Sequence, residues 1–267
     1  MRIPRALAAL ATAGWTAASA AGPAVARAEP RPAEALRVAA FAERILELQA
    51  QEGLGVLDPR GRRGRRAAAT ALREFEASVR AVGVPAAPAD LHEAAALLAL
   101  LAADYRTWAQ KPASRENARK LAERSEEVGW QATKLSRLLT DDPLGTGPLA
   151  ARAEEAAALA QRIARLLAWK RWGLAGPAWA KDLALAQPGL EAAMAALREA
   201  AASMPEALAE LQLAQNQAEF LLAAAGRIAN GGADPHDLEV ALKAADNAYE
   251  SMQRLAALHD ARERAGG

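Results

Sequence analysis

The chain has no cysteine, three histidines in 267 residues and only 4% aromatic residues. Disulfides, thiolate nucleophiles and thiolate metal sites are therefore impossible, and an imidazole-rich metal site has almost nothing to draw on. Long apolar runs are also missing. After Glu29 there is no stretch near the roughly 18 uninterrupted apolar residues that a membrane helix needs, and even Ala94 to Ala103 stops at Asp104 and Arg106. Catalytic patterns are absent as well: there is no Gly-x-Ser-x-Gly, no phosphate-binding loop, no Gly-rich dinucleotide turn and no His-Glu-x-x-His. His92, His236 and His259 are each followed by an acid but lack a helical histidine partner, and the Glu-x-x-His pairs of a di-iron bundle do not occur. These absences predict a non-enzymatic protein with no metal and no cofactor.

What is present is apolar and alanine-rich. With 52% apolar residues the chain can bury a core, which excludes global disorder and collagen-like repetition. Residues 1–28 read as a secretory signal peptide: Arg2 and Arg5 precede a small, apolar segment, and Ala26-Arg27-Ala28 is a cleavage signal. Its removal takes three arginines from the formal charge of +1 and leaves −2. The expectation is export to the periplasm, with no membrane-spanning segment after cleavage.

Ala, Leu, Glu and Arg dominate the remainder, and apolar residues recur every three or four positions, as at Val38, Phe41, Ile45 and Leu48. That spacing predicts an all-α protein with bundle-type seams. Pro59, Pro85 to Pro88, Pro112 with Ser114, Gly176-Pro177, Ser203 to Glu206 and Asp234 to Asp237 punctuate the helices, the last two as capping-box-like starts. Thr140 to Pro148, with two prolines and two glycines, reads as a linker.

The two halves superpose. A shift of 118 places Arg44-Ile45 on Arg162-Ile163, Gly55 on Gly173, Val56 on Leu174 and Pro59 on Pro177, and a shift of 120 places Lys134-Leu135 on Arg254-Leu255. This predicts two tandem antiparallel up-down four-helix units, 29–142 and 148–267, related by internal duplication.

The helix starts Ala42 to Leu46 and Ala160 to Ala164, the stretches Phe75 to Val79 and Leu190 to Met194, and the endings Ser125 to Leu139 and Asp246 to Leu258 occur in the same order in both halves. On these residues the chain resembles the type IV pili methyl-accepting chemotaxis transducer N-terminal domain, a PilJ-type module related to the periplasmic domains of nitrate/nitrite sensors. The second arginine of that family's first helix is replaced by Gln49 and Leu167. The resemblance implies an exported sensor-type module that recognises a small anion and, lacking a signalling domain, acts through a partner; it also implies homodimerisation.

Candidate site residues follow from helix position. Arg44 and Arg162 flank apolar stripes, where a half-buried guanidinium needs an acceptor: either an oxyanion ligand or an intramolecular carboxylate. Trp169, one heptad after Arg162, is a candidate ligand contact beside it, and it clusters with Trp172 and Trp179 at a turn, as a membrane-surface or partner-binding tip or as a seal on the bundle end. Arg60, Arg62, Arg63, Arg65 and Arg66 put five arginines in seven residues at the first turn, a candidate surface for lipid head groups or an acidic envelope partner, or else a solvated loop. No aromatic residues interleave them, which argues against nucleic acid. The alternative function is a non-catalytic envelope scaffold working through its helical faces and this loop.

Overall fold

A computed structural model describes residues 32–56, 62–83, 88–140, 148–231 and 234–266, and all regular structure among them is helical. The expected signal peptide, and residues 141–147 of the expected linker, lie outside these residues. The helices are α1 (Pro32–Leu54), α2 (Arg62–Ala81), α3 (Ala89–Ala109), α4 (Arg115–Leu139), α5 (Leu149–Trp172), α6 (Trp179–Ala201), α7 (Leu208–Ala229) and α8 (Pro235–Gly266). None of the described helices is long and apolar enough to cross a membrane.

Helix ends follow local chemistry. Ser114 caps α4 as its spacing predicts, its hydroxyl accepting from the Asn117 amide at 3.1 Å. Asp234 accepts from the His236 amide at 2.9 Å and so starts α8, while the Asp237 carboxylate binds Arg227 and does not close a capping box. The Ser203 expectation is corrected. Met204 precedes a 3-10 turn, Pro205–Ala207, that leads into α7, and no side chain caps it. Gly55 and Gly173 both adopt φ near +70° (66° and 72°), which glycine reaches without steric cost. After each, the next amide bonds back five residues, Val56 to Gln51 and Leu174 to Trp169, so two positions 118 apart end their helices identically.

Packing centres on two helices. The most extensive contact is between α1 and α5; α1 also carries α2 and α4, α5 carries α6 and α8, α3 lies on α4, and α7 lies on α8. Contacts between α1 and α5 climb together, Arg37 to Glu154, Glu43 to Arg165 and Gly53 to Trp172, so these helices run parallel. Contacts from α5 to α8 run oppositely, Glu154 to Gln253 and Gln161 to Ala245, as do those from α3 to α4, Asp104 to Arg124 and Ala94 to Gln131. The sequence predicts a one-sided stripe on α1. Instead α1 is enclosed nearly all round, and Glu43, Glu47, Gln49 and Gln51 are buried with Val38, Phe41, Ile45 and Leu48. Alanines make this possible, because small side chains let α1 approach its neighbours on several faces.

Burial repeats along the chain. Ile45 to Ala50 are all buried, and so are Ile163 to Ala168, 118 positions later. In α4 the buried set is Ala118, Leu121, Ala122, Ser125, Val128, Gln131, Ala132, Leu135 and Ser136; every position 120 later in α8 is also buried. Two additional α8 residues are buried, and one of them is Tyr249, opposite Gly129 in that register.

Candidate functional site

Arg44 and Arg162 are both half-enclosed at the join of α1 and α5, and each meets an internal carboxylate. The Arg44 guanidinium donates to Asp246 of α8 and lies 5.2 Å from the centroid of the Tyr249 ring. Arg162 donates from Nη1 to Glu126 of α4 at 3.3 Å, and its Nη2 lies 3.0 Å from the same carboxylate as an ion contact. The pairing crosses the halves: an arginine from the first helix of one reaches a carboxylate from the last helix of the other. Glu126 and Asp246 are themselves 120 apart. Between these pairs Arg165 Nε lies 2.9 Å from Glu43 Oε2, an ion contact without hydrogen-bond alignment.

A groove of about 770 Å³ opens between α1, α4 and α5. Its walls include Arg162, Leu159 and Glu155 from α5 and Ser125, Glu126, Gly129, Trp130 and Thr133 from α4, with Leu36, Ala39 and Glu43 from α1. Trp130 stands at its edge with 66% of its surface exposed, which is unusual for the largest apolar side chain. Ser125 Oγ and Glu43 Oε2 are buried with no hydrogen-bond partner. Burial holds the Glu43 carboxyl above the usual range, against the pull of Arg165 and Arg162. Of the residues nominated from sequence only Arg162 lines this groove; Arg44 and Trp169 do not.

Two more carboxyls are enclosed nearby. Glu154 is pushed up to about 7 by burial, although Arg37 donates to it at 2.6 Å and Gln253 at 2.7 Å. Glu47 is pushed up to about 8 by burial and by the Asp246 charge, opposed by Arg44 and by a hydrogen bond from Gln51. At neutral pH Glu47 is therefore mainly protonated, which reconciles it with a dry position.

The tryptophans form a seal. Trp172 is buried against Gly53, where a Cβ would overlap its ring, and the Trp179 indole donates to the Leu166 carbonyl at 2.7 Å. Trp169 is half-buried with Arg165 over its ring at 5.0 Å, and Lys170 lies 4.4 Å from the Trp179 ring. The arginine run is placed differently from the loop reading. Arg62, Arg63, Arg65 and Arg66 belong to the first two turns of α2, an end where basic charge opposes the helix dipole. Arg65 and Arg66 are exposed, with Arg65 3.9 Å from Glu52; Arg60 and the side chains of Arg62 and Arg63 lie outside the described residues.

No family model, curated protein or solved structure matches the chain.

Sequence reasoning found Arg162 but missed Ser125, Gly129 and Trp130. The available signal was Gly129, a glycine inside an otherwise strong helical run, at the position where the second half carries tyrosine.

Proposed function

We propose that the chain is a non-catalytic, exported ligand-binding module of the sensor type, built from two duplicated four-helix units locked side by side. The observation that carries the binding reading is the groove between α1, α4 and α5, where the Ser125 hydroxyl is buried without a partner and Glu43 Oε2, in ion contact with Arg165, makes no hydrogen bond, both beside Arg162. Native interiors rarely leave such groups unpaired, and a ligand or ordered water supplies what the chain does not. The duplication is supported by the two glycine-terminated helix ends, the repeated burial pattern and the exchanged pairs Arg44–Asp246 and Arg162–Glu126. Residues 1–28 would direct export to the periplasm, and the PilJ-type resemblance makes signalling through a partner the natural use of the module.

Arg162 is the better anion contact of the two arginines, because its carboxylate partner Glu126 is half-exposed whereas Arg44 is covered by Tyr249. Thermal unfolding of the full chain against nitrate, nitrite and simple carboxylates tests the reading. A ligand at 100 times its dissociation constant adds about 2.7 kcal/mol to stability. The expected result is a saturable rise in midpoint that Arg162→Ala abolishes and Arg44→Ala retains. A shift that follows Arg44 alone contradicts the groove as the site. The scaffold reading draws on exposed Leu213 and Phe220, one heptad apart on α7, and predicts protein capture lost in Phe220→Ser with no small-molecule response.

A further inference from the structure

The two halves do not merely repeat; at one place they differ in a way that describes a ligand. In the shifts of 118 and 120, the groove between α4 and α5 has a counterpart between α8 and α1. That counterpart is filled by the chain's own side chains. The Tyr249 ring packs edge-on to Phe41 with centroids 6.0 Å apart and lies under the Arg44 guanidinium, while Gln253 and Arg37 both bond to the buried Glu154. In the open groove the corresponding positions are Gly129 for Tyr249, Leu159 for Phe41 and Thr133 for Gln253. The frame around the gap is kept: Arg162 stands for Arg44 and Glu126 for Asp246, joined as the other pair is. A Cβ added at Gly129 would meet nothing within 4 Å, so space is present where a ring stands in the other half. Each side holds one buried and unpartnered hydroxyl: that of Tyr249 on the filled side, and that of Ser125, which replaces Ala245, in the wall of the open groove.

We infer that the groove binds a small aromatic molecule, of the phenol class, whose ring occupies over Gly129 the place that Tyr249 occupies in the other half. The guanidinium of Arg162 covers one face of that ring as Arg44 covers Tyr249, since a cation over an aromatic face is attracted by its quadrupole. Leu159 takes the Phe41 contact, exposed Trp130 flanks the entrance, and the Ser125 hydroxyl meets a polar substituent. This rests on the binding and duplication readings and adds an aromatic ring to the ligand chemistry tested there with small anions.

The probe is p-cresol, the tyrosine side chain as a free molecule, titrated into the full chain with cyclohexanol as a non-aromatic control of similar size. The expected result is saturable binding of one p-cresol per chain, at least tenfold tighter than cyclohexanol. Gly129→Tyr should abolish it while keeping or raising the unfolding midpoint, because the new ring fills the gap. Tyr249→Gly should bind a second equivalent and regain midpoint when p-cresol is added; Tyr249→Ala repeats the test if the glycine variant folds poorly. Absence of saturable binding, equal affinity for cyclohexanol, or binding that survives Gly129→Tyr overturns the inference. If anions still stabilise the chain through Arg162 but p-cresol does not bind, the aromatic assignment fails and the module reading survives. If Gly129→Tyr abolishes binding but neither Tyr249 variant gains a site, the aromatic site stands and the duplication equivalence fails.

Discussion

Glu47 is fully enclosed, accepts from Gln51 on its own helix, and feels Arg44 one turn away and Asp246 on α8. Its folded carboxyl titrates near 8 against an ordinary 4.5, so between those values the folded chain holds a proton that the unfolded chain releases. Its contribution is complete below pH 4.5 and is lost as pH rises toward 8. Glu47→Gln is thus expected to leave stability near pH 5 almost unchanged and to raise it at pH 8.5 by roughly 1–3 kcal/mol, read by urea unfolding at both values. A glutamine variant less stable at pH 8.5 would show that the carboxylate is tolerated there. Two glycines give an opposed pair at the same scale. Alanine at Gly53 would meet the Trp172 ring, whereas at Gly129 it would meet open space. Helix propensity favours both changes by about 1 kcal/mol. Gly129→Ala should therefore raise the unfolding midpoint, and Gly53→Ala should lower it by a few degrees, about 1–2 kcal/mol, as the ring is displaced.

Between elements, the exchanged ion pairs add to the buried α1–α5 join that holds the halves together. The Arg44 side chain is 15% exposed and stacked on Tyr249, and that of Arg162 is 31% exposed with a half-exposed partner. Removing one partner of an enclosed pair costs more than breaking an exposed one, so Arg44→Ala should cost about 2 kcal/mol and Arg162→Ala less than about 1 kcal/mol. A double-mutant cycle on Arg44 and Asp246 checks the coupling, and a value near zero would make that pair incidental. This scale also marks what sequence could tell. Helix number and the caps at Ser114 and Asp234 were legible, because each is local chemistry within a few residues, and Gly55 and Gly173 were legible as matched positions though not as helix stops. The enclosure of Glu43, Glu47 and Gln49 was not, because polar residues on a helix read as its wet face until a parallel neighbour covers them. Glu126 and Asp246 were equally hidden. Each looks like an ordinary surface acid, and only the α1–α5 join, which brings Arg44 within reach of α8 and Arg162 within reach of α4, gives them partners.

For the whole molecule, α1 and α5 form the join on which both grooves depend. Each is walled by one of these helices and backed by the other, so an antiparallel or separated arrangement would remove the open groove and its filled counterpart together. Cutting an engineered protease site placed within residues 141–147 should leave the two halves co-eluting and folded at neutral pH, since the join is made by buried helix surface. The absence of cysteine permits a direct measurement of the join. Spin labels at Glu52 and Arg171 would mark the same end of α1 and α5, and labels at Glu34 and Arg171 opposite ends, separated by about 27 Å of helix rise at 1.5 Å per residue. The parallel join predicts a short distance for the first pair and, with the rise at right angles to an interhelical separation of about 10 Å, a backbone distance of roughly 29 Å for the second. The reverse order, or two broad and equal distributions, would contradict it.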